Sequence, residues 1–305
     1  MTDDALIVQD AVKRYGDHVT VSGVSLTVRA GERVALLGHN GAGKTTLMKL
    51  VLGLTPLDGG RISVFGAAPG DRTARRLSAY LPESVAFNKV LTGREQLRLF
   101  ARLSGEPVAI VDPLLERVGL AEAAHRRIGT WSKGMRQRLG LAQALIGTPK
   151  LALLDEPTSG LDPISRHEFY GIVDEMVAAG TAVLISSHAL TELEARTDRI
   201  AILRDGHLVA NDSLAHLHAR AQLPIRVRVV AHGDGADRLA DQLCGQRING
   251  HAVEFFCLPG EKMERLTQIT ALGGLIDDVE VVPPSLEDLY RHYSTGNYST
   301  GEMPK

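Results

Sequence analysis

The chain has 305 residues, 44% of them hydrophobic, with 34 basic against 36 acidic side chains and a formal net charge of −2. That is enough chain for one large core or two moderate ones. The charge balance argues against nucleic acid as the main partner. No apolar run approaches the roughly 20 residues that a membrane helix needs, and the acidic start Met1-Thr2-Asp3-Asp4 is not that of a secretory leader. Cys244 and Cys257 lack CxxC spacing and read as thiols, not as a disulfide or a metal site.

Strand and helix signals alternate from the N-terminus to about Arg220. Leu6–Val12, Val24–Val28 and Arg33–Leu37 read as strands, and a helix is expected from Lys44, with Leu47, Leu50, Val51 and Leu54 at helical spacing. Arg61–Phe65 reads as a further strand. Thr92 with Glu95 forms a capping-box pattern, and residues 83–130 are expected to be mostly helical. Ser132 is positioned to cap a helix through Leu145. The apolar runs Leu151–Leu154 and Ala182–Ile185 have the character of buried parallel strands. Asp162-Pro163 opens a helix that ends at Gly180, and Asp205-Gly206 joins Arg199–Arg204 to His207–Asn211 as a hairpin.

Beyond Arg220 the pattern changes. Strands are expected at Ile225–Val230, Val253–Leu258 and Val279–Val282, with helices at Gly235–Leu243 and Met263–Leu272. The order suggests a small α+β module, ferredoxin-like, over 223–293. Ser285 with Asp288 starts a last helix through Tyr293, and residues 294–305 read as a disordered tail.

Gly38-His39-Asn40-Gly41-Ala42-Gly43-Lys44-Thr45 fits the phosphate-loop pattern, with a strand entering it and a helix leaving it. Glycines there turn successive N–H groups inward toward phosphate oxygens, and the helix N-terminus adds a favourable dipole. Lys44 is expected to bridge the β- and γ-phosphates and Thr45 to ligate Mg²⁺. Leu151–Glu156 ends a buried strand in two carboxylates, where open α/β sheets bind ligands. Asp155 is expected to hold Mg²⁺ through water and Glu156 to position the attacking water.

With Ser132-Lys133-Gly134-Met135-Arg136-Gln137 between those two motifs, the chain resembles the ATP-binding-cassette (ABC) ATPases. Lys133 and Met135 depart from the commoner Ser-Gly-Gly-Gln signature. The resemblance covers most of residues 5–220. It implies an α/β P-loop nucleotide-binding domain with a mixed sheet and a helical subdomain at about 84–131. It implies that Gly38, Asn40, Gly41, Ala42, Gly43, Lys44, Thr45 and Thr46 bind ATP, with Tyr15 stacked on adenine. It also implies that Ser132–Gln137 complete the site of an opposing subunit, with Ser159-Gly160-Leu161-Asp162 as the D-loop and His188 as the switch histidine acting beside Glu156 and Lys44. Glu83 stands where the family has a glutamine; it is either a ligand of Mg²⁺ or its water, sensing the transport partner, or a solvated loop residue.

A single cassette implies a separate-subunit motor: a homodimer, peripheral on the inner face of a bacterial inner membrane, using ATP and Mg²⁺. Gly38–Lys44, Leu81-Pro82-Glu83-Ser84, the stretch from Ser132 to Gly147, and Pro284-Ser285-Leu286-Glu287-Asp288 with the residues through Tyr293 together resemble the nitrous oxide reductase maturation group. That group implies a permease of the NosY type, a periplasmic subunit of the NosD type, and work on copper-site assembly through export of a sulfur species or copper. This chain carries no CxxC and no methionine cluster, and His216 and His218 at i, i+2 point to different sides of a helix. A drug, lipid or polysaccharide exporter is the alternative within the class. A soluble ABC ATPase of DNA repair or translation is the alternative outside it.

Overall fold

In the computed structural model, residues 4–187 and 190–295 are described. The chain divides into two compact units, Met1–Asp212 and a second from Ser213 onward.

The first unit runs β1 (Asp4–Tyr15), β2 (His18–Arg29), β3 (Arg33–Leu37), α1 (Lys44–Val51), β4 (Gly59–Val64), α2 (Arg72–Leu77), β5 (Ser78–Leu81), α3 (Gly93–Ser104) and α4 (Val111–Arg117). It continues with α5 (Lys133–Ala144), β6 (Leu151–Asp155), α6 (Pro163–Ala178), β7 (Ala182–Ser186), α7 (Leu190–Glu194), β8 (Arg199–Arg204) and β9 (His207–Asp212). Its main sheet has the order β5-β6-β7-β3-β8-β9. Only the β8–β9 pair is antiparallel; the other neighbours are parallel. Every residue of β3, β6 and β7 is buried, as their unbroken apolar runs require of strands covered on both faces. A second, antiparallel sheet, β2-β1-β4, joins the same core, where Leu6, Leu26, Leu36, Leu47 and Leu153 meet. Parallel order brings the C-terminal ends of β3, β5, β6 and β7 to one edge, and every candidate catalytic segment leaves the sheet there.

Residues 83–130 are less helical than expected. Only α3 and α4, with two short 3-10 turns, are regular there. Gly105 closes α3 in the left-handed conformation at φ 77°, and Gly119, at φ 65°, follows the end of α4. The capping box between Thr92 and Glu95 is present as expected. Little in the sequence signals α2 and β5, because a sheet-edge strand of three half-buried residues and one buried one lacks the apolar run of a central strand.

The second unit comprises α8 (Leu214–Ala221), β10 (Ile225–Ala231), α9 (Ala236–Leu243), β11 (Gln246–Arg247), β12 (Ala252–Cys257), α10 (Lys262–Ala271), β13 (Ile276–Val282) and α11 (Leu286–Thr295). The division lies ahead of α8 and not at the expected position of about residue 220; α8 packs on α11, and Tyr293 Oη donates to the Leu217 carbonyl at 3.4 Å. All strand pairs are antiparallel in the order β11-β12-β10-β13, the split βαβ arrangement. Leu239, Leu243 and Ile269 from the helices cover Val227, Val229, Val253 and Phe255. The last helix runs two residues past Tyr293, so Ser294 and Thr295, expected in the disordered tail, are helical. Residues 296–305 lie outside the described residues.

Candidate functional site

The loop after β3 is shaped by close backbone contacts. Gly43 caps α1 at φ 104°, and a Cβ there would sit 2.6 Å from the Thr20 carbonyl oxygen. A Cβ at Gly38 would sit 2.7 Å from the Leu203 carbonyl oxygen. Positive φ at Gly43 and close packing at Gly38 therefore require glycine at these two positions. The β8–β9 turn braces the loop: Gly206 N donates to the Ala42 carbonyl at 3.3 Å, and His39 Nε2 lies 3.3 Å from Asp205.

Lys44 is buried and folds back over this loop, donating to the Gly38 carbonyl at 2.6 Å and to that of His39 at 3.4 Å. Burial pushes its ammonium below the ordinary lysine pKa; Glu156, Asp155 and Glu83 oppose that shift. Glu83, exposed just past β5, is the weakest of the three carboxylates in that opposition.

Two strand ends and the loop meet at Asp155. Thr45 Oγ1 donates to its Oδ2 at 2.6 Å, and Ser186 Oγ donates to its Oδ1 at 2.7 Å. Tyr80 is pushed up to about 12 by burial first and by neighbouring Asp155 second. Glu156 is buried in the left-handed conformation at φ 47°, an uncommon state for a non-glycine residue. Its amide donates to Ser186 Oγ at 3.0 Å and to the Ser186 carbonyl at 3.2 Å. Ser186 and Tyr80 are further candidate site residues, which no sequence motif marks. The signal for Ser186 was a lone hydroxyl closing an apolar strand beside the one that ends in Asp155.

Ser132 caps α5, accepting from Met135 N at 3.2 Å, and Arg136 Nη1 donates to the Trp131 carbonyl. Gln137 is buried. Lys133 Nζ donates to Ser159 Oγ at 3.1 Å, and a Cβ at Gly134 would lie 3.3 Å from Leu161 Cδ2. Asp162 caps α6 through the amides of Ile164 and Ser165. Tyr15 closes β1 half-exposed, with Lys13 Nζ 5.3 Å from its ring centre.

The fold thus gathers Gly38–Thr46, Glu83, Asp155 and Glu156 at one sheet edge. Ser132–Gln137 instead meet Ser159–Leu161; among the described residues no hydrogen bond or ion pair links them to residues 38–46. His188 lies outside the described residues.

A glycine loop between strand and helix, a buried lysine over it, and a hydroxyl bonded to the carboxylate of a neighbouring strand end define a P-loop nucleotide-binding protein. The family model described as ABC transporter matches residues 21–159. The chain is 33% identical over 299 residues to a Nod factor export ATP-binding protein I of Rhizobium sp., covering 95% of this chain and 97% of that one. It is 45% identical to an ABC transporter ATP-binding protein of Nostoc sp. over 65% of this chain, and it spans 61% of that relative's length. A solved ATP-binding subunit of an ABC transporter superposes with a TM-score of 0.67 at 34% identity, over 71% of this chain and 92% of the other. The chain belongs to the ABC transporter ATP-binding family, and it is an ATP-hydrolysing motor subunit of such a transporter. Among the described residues no helix is long and apolar enough to cross a membrane.

Proposed function

We propose that two copies of this chain act head to tail on a separate membrane permease, at the inner face of a bacterial inner membrane, each completing the other's ATP site. The observation that carries this is the placement of Ser132–Gln137: they crown a capped helix N-terminus, an anion-binding element, yet among the described residues no hydrogen bond or ion pair joins them to their own phosphate loop. A second copy supplies the missing phosphate. Lys44 and the amides of Gly38–Thr46 hold the β- and γ-phosphates, Tyr15 stacks on adenine, and Glu156 orients the attacking water with His188. Thr45 and Asp155 offer a hydroxyl and a carboxylate 2.6 Å apart, a hard-oxygen pair that fits Mg²⁺, with Glu83 as the further carboxylate. Mg²⁺ bound there supplies charge neutralisation for the phosphates.

For the cargo, the resemblance of Leu81–Ser84, Ser132–Gly147 and Pro284–Tyr293 supports a motor of the NosF kind, with NosY-type and NosD-type partners and a sulfur species or copper as freight. A second reading, export of a drug, lipid or polysaccharide, is favoured by the match to the Nod factor export protein along nearly the whole chain. One preparation tests both levels. Glu156→Gln, purified from its native host with ATP, is expected to run as an ATP-bound dimer with turnover at least about a hundredfold down. Monomers that hydrolyse ATP normally would sink the assignment of Glu156. The permease that accompanies the trapped dimer decides between the two cargoes.

A further inference from the structure

We infer that Lys133 is a positioning residue that ties the signature helix of each chain to the loop bearing that chain's own Glu156. This rests on the head-to-tail reading above. Where the commoner signature has a glycine, this chain has a lysine, whose Nζ donates to Ser159 Oγ at 3.1 Å. The stem is seated as well as the tip. A Cβ at Gly160 would come within 2.9 Å of Lys133 Cδ and 3.3 Å of its Cε, so the loop leaves room for the lysine chain. Gly160 also needs its freedom for φ 81°. Beside it, a Cβ at Gly134 would lie 3.3 Å from Leu161 Cδ2, so the glycine leaves room for that side chain.

The loop that receives Lys133 is itself bonded to the catalytic strand end. Ser159 N donates to the Glu156 carbonyl at 3.1 Å, and Leu161 N to that of Thr158 at 3.1 Å. Glu156 in turn is fixed by Ser186 Oγ at 3.0 Å. A displacement of the α5 N-terminus therefore passes through Lys133 and Ser159 to the backbone of Glu156. In the dimer, α5 faces the partner's phosphate while Glu156 serves the chain's own nucleotide. The tie links one ATP site to the other through a single side chain, Lys133, whose tip is held by its own chain's Ser159.

A double-mutant cycle on the full-length chain tests this by steady-state ATPase kinetics. Lys133→Met keeps most of the stem without the charge, and Ser159→Ala removes the acceptor. Each is expected to lower kcat about three- to tenfold with KM unchanged, the size of one lost hydrogen bond. The double variant is expected to be no worse than either single one, and Lys133→Arg to recover most of the rate. Additive losses, an undiminished kcat in Lys133→Met, or a raised KM in that variant alone would overturn the inference. If the wild-type chain itself neither hydrolyses ATP nor dimerises with it, the head-to-tail reading fails instead, so the two failures are distinct.

Discussion

At the scale of single residues, the phosphate loop shows how far geometry restricts chemistry. Gly43 holds φ 104° with the Thr20 carbonyl oxygen 2.6 Å from where a Cβ would stand. The obstacle is backbone, which cannot swing aside as the end of a flexible side chain does. Gly43→Ala is expected to cost about 1–3 kcal/mol in folding stability. It should also weaken ATP binding more than about tenfold, because the first turn of α1 and the inward N–H groups shift together. Urea unfolding and nucleotide titration measure the two losses; an alanine variant that binds ATP normally would show that the loop relaxes without Thr20. Glu156 poses a related case with the opposite residue type. It holds a left-handed backbone without being glycine, and amide bonds to Ser186 keep it there.

At the scale of elements, what the sequence made legible follows from how local each signal is. The phosphate loop, the acidic end of β6, the Asp205-Gly206 turn and the caps at Thr92, Ser132 and Asp162 were readable, because each is written within a few consecutive residues. β5 and α2 were not, since an edge strand owes its pairing to β6, some seventy residues downstream. The roles of Ser186 and Tyr80 were hidden for the same reason, as only the sheet brings them to Asp155. The cap of α6 has a consequence that depends on pH. The Ser165 amide first, then the Ser165 hydroxyl, hold the Asp162 carboxyl below the ordinary aspartate value of 3.8. A depressed carboxylate contributes stability that is present above the unfolded pKa and lost as pH falls through the folded one. Asp162→Ala is accordingly expected to lower Tm by a few degrees near neutral pH, and by progressively less as pH drops below 3.8. Asp162→Asn, which still accepts hydrogen bonds, should keep most of the neutral-pH Tm. A gap between wild type and Asp162→Ala that stays constant down to the lowest pH would remove the carboxylate from the account.

At the scale of the whole molecule, the division at Asp212 separates the candidate ATP-site residues from a module with its own core. All of the candidate nucleotide, signature and D-loop residues precede that point, while α8 belongs with α11 behind it. Where the chain is cut should therefore matter more than how much is removed. A fragment of residues 1–212 is expected to fold and to bind ATP with a Kd within about twofold of the full chain, as independent units do. A fragment of residues 1–221 keeps α8 but strips it of α11, leaving Leu217, fully buried in the intact chain, without its cover. That fragment should aggregate or bind a hydrophobic dye where the shorter one does not. If the C-terminal module stabilises the dimer or docks a partner, the 1–212 fragment should also carry less permease, or less of its own second copy, through purification from the native host. Retention of the whole complex by 1–212 would deny the module that role, and a large loss of ATP affinity would show that the two units are not independent.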